Sequence, residues 1–112
     1  MVERWVPRPS EIVRIDFNPT RGHEQANLRP AVVLSHQGFN DRTGLAVCIP
    51  VTTKRKGFPF EVSISGLQEP SAALTHQLRT LDWRERGAVA TGFATDAEMA
   101  EIRAKVGALL GF

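Results

Sequence analysis

The sequence predicts a mainly β fold, a compact antiparallel barrel or coiled sheet with one α-helix packed against it. Most of the chain consists of short apolar stretches separated by turns rich in Gly, Pro, Asn and Asp, and only the last segment has helical spacing. Many short strands followed by a terminal helix are typical of such a sheet, whose loops stay free for function. The 112 residues suffice for one core, so residues 1–112 are expected to form a single domain.

Strands are expected where apolar and polar residues alternate, or where an apolar run lies between turn residues. Residues 11–17 alternate between apolar and charged side chains. Pro30 lacks a backbone donor and suits the first residue of a strand over 31–35, which is apolar enough to be buried on both faces. Pro50 lies inside a further strand and indicates a bulge or a sheet edge. The other predictions are strands at 45–51, 60–64, 72–81 and 88–93, and polar loops at 37–44 and 52–59.

The last segment predicts the one helix. Thr95 and Glu98 have the spacing of a capping box, in which each side chain bonds the backbone of the other residue. Glu101 and Lys105 are correctly ordered for an ion pair one turn apart, and Gly111 ends the helix. The residues that recur at helical spacing and form its apolar face are Met99, Ile102, Val106, Leu109 and Leu110.

Composition limits the class of protein. Hydrophobic residues are 42% and charged residues 23%, which is typical of an ordered globular domain rather than a disordered chain. The single cysteine, Cys48, excludes an internal disulfide and the usual four-cysteine zinc site, and its apolar neighbours predict a core position. The sequence has no apolar run that could span a membrane and no signal-peptide core, so a cytoplasmic location is expected.

Two basic clusters permit a polyanionic partner without requiring one, because the net charge is only +2. One contains Lys54, Arg55 and Lys56, and the other contains Arg79, Arg84 and Arg86. The first follows Thr52 and Thr53, whose hydroxyls can donate to a phosphate oxygen while the cations neutralise neighbouring phosphates. The alternative is commoner in proteins: β-branched residues end a strand beside a solvated basic turn.

Glu24 and Arg29 lie five residues apart in the polar loop before the strand at 31–35. They can form a structural ion pair, the commoner arrangement for a loop Glu and Arg. They can also bracket a phosphodiester. Arginine matches phosphate geometry and keeps its charge, and a glutamate of raised pKa can take the proton of an RNA 2′-hydroxyl. That attack needs no metal ion.

The histidines are weaker candidates. No two of them have the spacing of a metal-binding pair, so no metal ion or other cofactor is predicted. His23 adjoins Glu24 and is kept as a minor acid–base candidate. His36 and His76 are interpreted as surface or loop residues.

Aromatic rings near basic loops can stack on unpaired bases. Phe39 and Phe58 lie in polar stretches and are the candidates for this role. Trp5 and Trp83 are large enough to be core or interface residues, which is the interpretation preferred here.

A shared pattern runs in order through almost the whole chain: residues 16–25, 29–35, 43–44, 50–53, 56–62, 83–84 and 86–87, Asn40, Gln77 and the terminal helix. In these residues the chain resembles the MazF/PemK family of toxin endoribonucleases, most closely its MazF branch. The resemblance implies an SH3-like (CcdB/Kid/MazF-type) small barrel of twisted antiparallel sheet with a C-terminal α-helix. It also implies a homodimer and metal-independent cleavage of single-stranded RNA. The partner would be a MazE-like antitoxin whose disordered, acidic tail covers the RNA groove.

The resemblance further implies roles for individual residues. Glu24 matches a proposed general base, Arg29 an essential arginine, Thr52 a contact to the scissile phosphate, and Gln77 a contact to RNA. A guanidinium is a poor proton shuttle, so Arg29 is interpreted as stabilising the charge of the phosphorane. His23 and His76 are not part of the shared pattern. The remaining predicted RNA-binding residues are Thr53, Lys54, Arg55, Lys56 and Phe58.

Two other functions stay open at this point. One is a non-enzymatic toxin of the same fold that acts on a protein target such as DNA gyrase. The other is an RNA-binding module without turnover, which would bind RNA in a salt-sensitive way and produce no new RNA ends.

Overall fold

Antiparallel strands curl into a half-barrel that carries a C-terminal helix. The structure is a computed structural model that describes residues 4–18 and 28–112. None of the helices in these two ranges is long and apolar enough to cross a membrane. The elements are β1 Glu11–Asp16, β2 Leu28–Val33, α1 Gln37–Thr43, β3 Leu45–Thr52, β4 Glu61–Ile64, β5 Ser71–Leu74, a 3-10 turn Thr75–Gln77, β6 Arg79–Asp82, β7 Val89–Phe93 and α2 Asp96–Leu110.

The strands follow the order β4-β5-β3-β2-β1-β7, and β6 also pairs with β3. The first half of β3 pairs with β6 through Cys48, and its end pairs with β5 from Val51. Pro50 lies between these two pairings, where the strand changes partner and tolerates a residue without a backbone donor. Of the two alternatives predicted at Pro50, a bulge or a sheet edge, the edge is wrong, because β3 has neighbours on both sides.

The two ends of the sheet approach each other at Ser65 and Gly66, which follow β4 in the chain. A Cβ atom at Gly66 would lie 2.9 Å from the backbone oxygen of Phe93 in β7, so no larger residue fits there without movement. Ser65 donates from its backbone N–H and its hydroxyl to the Glu98 carboxylate, both at 2.9 Å. These contacts attach the β4 end of the sheet to β7 and α2.

The middle of the sheet is buried on both faces, as predicted for β2, because successive side chains of a strand point to opposite sides. Ile12, Val32 and Ile49 belong to the core under α2, whereas their neighbours Val13 and Val33 belong to a second core on the other face. Cys48 and Trp83 are also in the second core, which confirms the core position predicted for Cys48. Burial raises the pKa of the Cys48 thiol to about 12, so the thiol stays protonated at neutral pH.

Helix α2 confirms the terminal helix prediction. Thr95 and Glu98 form the capping box, Lys105 and Glu101 pair at 3.1 Å, and Gly111 caps the end in the left-handed conformation. Burial alone would raise the pKa of Glu98, but the bonds from Thr95 and Ser65 lower it overall. The apolar face is shorter than predicted: its first three residues are buried, whereas Leu109 and Leu110 are each 53% exposed.

The predicted loop over 37–44 is wrong, because Gln37–Thr43 forms helix α1. Asn40 explains the difference. It is fully buried, and its side-chain amide donates to the carbonyls of Pro7 and Ser35 at 2.8 and 3.1 Å. Gly44 ends the helix at φ 74°. Tertiary bonds to one polar residue thus stabilise a helix that has no apolar periodicity.

Two strand boundaries also differ from the prediction. Strand β2 begins at Leu28, and Pro30 lies inside it, paired with Arg14 and just before the pairing with β3 begins at Ala31. The single strand predicted over 72–81 is divided by the 3-10 turn. Thr75 bonds the Phe60 carbonyl there, which turns the chain away from β4 before β6 begins.

Candidate functional site

An open groove of about 440 Å³ lies where β2 approaches β3. It combines cations, hydroxyls and a carboxamide on one surface. Five of these groups were predicted from the sequence, and Arg79 joins them from β6. The polar residues that line the groove are Arg29, Thr52, Thr53, Lys54, Gln77 and Arg79.

The strand register brings Arg29 and Thr52 together. Ala31 of β2 pairs with Pro50 of β3 in an antiparallel ladder. The ladder ends at this pair, and two residues beyond it lie Arg29 in β2 and Thr52 in β3. Residues two apart in a strand share one face. The guanidinium and the hydroxyl therefore project from the same side of the sheet into the groove.

Thr52 is positioned by a strand pairing and by a hydrogen bond to its hydroxyl. It pairs with Ala72 of β5, and its hydroxyl oxygen accepts the backbone N–H of Lys54 at 3.1 Å. This bond turns the chain from β3 into the basic loop and uses one lone pair of the hydroxyl. The hydroxyl hydrogen stays available to donate to an anion in the groove.

Arg79 is a groove residue that sequence reasoning assigned only to a general basic cluster. Its β6 position opposite Cys48 of β3 brings it beside the groove, and its guanidinium lies 5.5 Å from the ring centre of Phe17. Arg29 and Arg79 thus approach the groove from two strands that flank β3. Two arginines on one open surface favour a phosphate-bearing ligand.

A second groove of about 360 Å³ continues from the first and shares Thr52, Lys54 and Gln77 with it. Lys56 and Phe58, two of the predicted RNA-binding residues, line it. Arg55, which was predicted for the same role, is exposed but lines neither groove.

Glu61 organises the basic loop. Its carboxylate accepts the backbone N–H groups of Lys56 at 3.2 Å and of Gly57 at 3.0 Å. Gly57 has φ 74°, a left-handed conformation that glycine adopts most readily. A carboxylate that accepts two amides fixes the turn that presents Lys56 and Phe58 to the groove.

Replacing Glu61 with glutamine tests this role. A neutral amide oxygen accepts the two N–H groups more weakly, so the loop loosens and ligand binding suffers more than chemistry. For the RNA cleavage that the family resemblance implies, we expect the KM to rise about five- to ten-fold with kcat nearly unchanged. Glu69→Gln, an exposed change outside both grooves, is the matched control. An unchanged KM in Glu61→Gln would show that the bonds between the Glu61 carboxylate and the loop amides do not affect RNA binding.

Several other candidates are not in the grooves. Phe39 lies on α1 and His36 lies at the start of this helix. Neither residue lines either groove. Arg84 bonds Asp41 of α1 at 3.2 Å, and Arg86 donates to the carbonyls of Asp16 and Asn18 at 2.9 and 2.6 Å. The predicted cluster of Arg79, Arg84 and Arg86 therefore separates into one groove residue and two structural ones.

Of the core or interface positions predicted for the tryptophans, the core position is confirmed for Trp83 but is wrong for Trp5, which is 38% exposed. Trp83 is buried in the second core and donates from its indole nitrogen to the Asn40 carbonyl at 2.9 Å. Trp5 packs edge-on against it with ring centres 5.7 Å apart, and remains partly exposed.

Comparison with known proteins places the chain in a family. The family described as "PemK-like, MazF-like toxin of type II toxin-antitoxin system" matches residues 8–110. The chain belongs to this family. It is 45% identical over 111 residues to the endoribonuclease toxin MazF of Escherichia coli K12, across 99% of this chain and 100% of that protein.

Solved structures of PemK/MazF-family toxins also match the fold. MazF from Deinococcus radiodurans (Form-I) is 42% identical, with a TM-score of 0.87 over 97% of this chain and 100% of that chain. A chain of the MazE-MazF structure (Form-II) from the same organism is 37% identical, with a TM-score of 0.85 over 97% and 99%. The predicted family and its small barrel with a C-terminal helix are confirmed.

Glu24, the predicted general base, and His23, the minor acid–base candidate, lie outside the described residues. Their roles stay predictions. Within 4–18 and 28–112, the structure has no group of three or more His, Cys, Asp and Glu side chains arranged to hold a metal ion.

Proposed function

We propose that this chain is a sequence-specific, metal-independent endoribonuclease toxin, an mRNA interferase that cleaves single-stranded RNA. The observation that carries the proposal is the shared face of Arg29 and Thr52 in an open groove that continues past Lys54 and Gln77. Membership of the PemK/MazF family and identity to an endoribonuclease toxin support the same activity.

In the proposed reaction, Glu24 takes the proton of the 2′-hydroxyl, whose oxygen then attacks the adjacent phosphorus. The bond from phosphorus to the 5′-oxygen breaks, which leaves a 2′,3′-cyclic phosphate and a 5′-hydroxyl. The leaving oxygen takes its proton from water or from the protonated Glu24. Arg29 and the Thr52 hydroxyl donate to the phosphate oxygens and stabilise the charge that develops there.

RNA outside the reacting phosphate is bound by the rest of this groove, by the second groove and by Arg55 on the basic loop beside them. Thr53, Lys54, Arg55 and Lys56 neutralise or bond neighbouring phosphates, and Phe58 and Gln77 contact bases. We assign the whole chain to one toxin domain that acts as a homodimer in the cytoplasm. The inhibitor in this proposal is a MazE-like antitoxin, consistent with the MazE-MazF structure of a relative.

Incubation of the purified protein with mixed-sequence RNA in EDTA tests the proposal. We expect cleavage at a short recurring sequence, with 5′-hydroxyl ends at every mapped site. Intact RNA that is nevertheless bound would indicate a binding module without turnover. Cleavage that EDTA abolishes would contradict the metal-independent mechanism.

Thr52→Val tests the hydroxyl, because valine keeps the shape and the β propensity of threonine. We expect cleavage to slow about ten- to a hundred-fold, since one donor to the developing charge is lost. Thermal stability should change little, because Thr52 is not in the core. Thr80→Val on the exposed face of β6 is the matched control and should retain full activity. An active Thr52→Val enzyme would remove Thr52 from the mechanism.

A further inference from the structure

The 3-10 turn at the groove is fixed by one buried threonine. Thr75 is 1% exposed, and its hydroxyl and backbone N–H both donate to the carbonyl of Phe60, at 2.5 and 3.3 Å. These bonds attach the turn to the residue that precedes β4. The side chains of His76 and Gln77 follow directly and point to the groove lined by Lys54 and Phe58.

His76 is held by a ring contact and by a hydrogen bond. Its ring centre lies 3.7 Å from that of Phe60, with the planes at 53°, and Phe60 in turn contacts Phe58 at 5.2 Å. The Nε2 atom of His76 is 3.1 Å from the Nε2 atom of Gln77. One of the two polar groups of the Gln77 carboxamide, which are its NH₂ group and its oxygen, therefore bonds the imidazole. The other group is left for a ligand.

The charge of the imidazole determines which group of the Gln77 carboxamide, the NH₂ group or the oxygen, faces the ligand. In the neutral ring that carries its proton on Nδ1, Nε2 accepts, so the Gln77 NH₂ group bonds it, as the contact between the two Nε2 atoms indicates, and the amide oxygen faces the ligand. A protonated ring donates from both nitrogens, so the amide must turn over, and its NH₂ group then faces the ligand. Protonation thus exchanges an acceptor for a donor at one point of the groove.

We propose that His76 sets the orientation of the Gln77 carboxamide and thereby makes the base preference of the groove depend on pH. The inference rests on the proposed RNA-cleaving function and specifies its substrate recognition. Adenine and cytosine present an exocyclic amino donor, which suits the amide oxygen of the neutral state. Uracil presents a carbonyl acceptor, which suits the NH₂ group of the protonated state.

Other charges surround this pair. Lys54, Lys56 and Glu61 line the same groove, and Arg79 lies beyond Gln77 in the adjoining one. From α2, Lys105 donates to the Glu61 carbonyl at 2.8 Å and pairs with Glu101. Of the ordinary side chains, histidine is the one whose charge can change near neutral pH.

Mapping of cleavage sites in randomised RNA at about pH 5.5 and pH 8 tests the inference. In the wild type, we expect the ratio of uracil to adenine or cytosine at one position of the site to rise about five-fold at the lower pH. His76→Lys, a permanent donor, should show the acidic preference at both pH values. His76→Glu, a permanent acceptor, should show the alkaline one. His36→Gln, which removes a histidine outside both grooves, should behave as the wild type.

An active wild type with the same base preference at both pH values would overturn the inference. The same pH shift persisting in His76→Lys and His76→Glu would also overturn it. Absence of any RNA cleavage would instead count against the proposed function. In that case, NMR of the labelled protein without RNA decides: the Gln77 side-chain NH₂ resonances should shift with the same midpoint as the His76 ring. Resonances that do not follow the ring would overturn the inference.

Discussion

Arg29→Ala is expected to slow RNA cleavage about 100- to 1,000-fold under single-turnover conditions, because the guanidinium donates to the charge that develops on the phosphorane. RNA affinity should fall much less, since Lys54 and the other groove cations still bind the backbone phosphates. Arg29→Lys should be intermediate, because an ammonium keeps the charge but loses the bidentate geometry.

Single-turnover rates and RNA dissociation constants separate the two effects. Arg103→Ala, on the exposed face of α2, removes one positive charge away from the groove and should leave both quantities nearly unchanged. If Arg29→Ala lowered the affinity as much as the rate, Arg29 would be a binding residue rather than a stabiliser of the transition state.

Asn40→Ala is expected to lower the free energy of unfolding by about 3 kcal/mol, which corresponds to a fall in Tm of roughly 10 °C. The Asn40 side chain donates to the Pro7 and Ser35 carbonyls and accepts the Ser35 hydroxyl at 2.6 Å. The same hydroxyl accepts the backbone N–H of Val47 at 2.9 Å. Alanine leaves these buried groups without their partner, so the start of the chain, α1 and β3 lose their common attachment.

Urea and thermal unfolding measure this effect. Arg42→Ala on the exposed side of the same short helix is the control, and we expect it to change stability by less than about 0.5 kcal/mol. An Asn40→Ala protein as stable as the control would mean that water replaces the amide in these bonds, which would contradict the account of why α1 forms.

The two helices illustrate how much of the fold the sequence predicts. Helix α2 has local signals that act independently of the rest of the chain, namely the Thr95 cap, the apolar spacing and Gly111, and it was predicted with nearly correct bounds. Helix α1 lacks such a pattern and depends on Asn40, whose partners lie 33 and 5 residues away in the chain. Side-chain bonds of this kind, one of them across 33 residues, leave no periodic trace in the sequence.

The candidate site likewise contains residues that the sequence predicts and residues that only the fold reveals. Arg29, Thr52, Lys54 and Gln77 were named from the residues and the family resemblance, and they line one groove. Arg79 was placed with two arginines that serve structural roles, because charge alone does not tell which face of β6 an arginine occupies. Two further site residues could not be predicted, because their effect comes from contacts that only the fold creates. Glu61 bonds the amides of the basic loop, and His76 contacts Phe60 and Gln77.

Attack by the 2′-hydroxyl is the central claim, and one substituted oligonucleotide tests it most directly. Once a cleavage site is mapped, the nucleotide on the 5′ side of the scissile phosphate is replaced with its 2′-deoxy form, and all other nucleotides are kept. We expect this RNA to bind with nearly unchanged affinity and to remain intact at that site, in the presence of EDTA, while the all-ribose RNA is cut. Cleavage of the deoxy-substituted RNA at the same phosphate would contradict the mechanism.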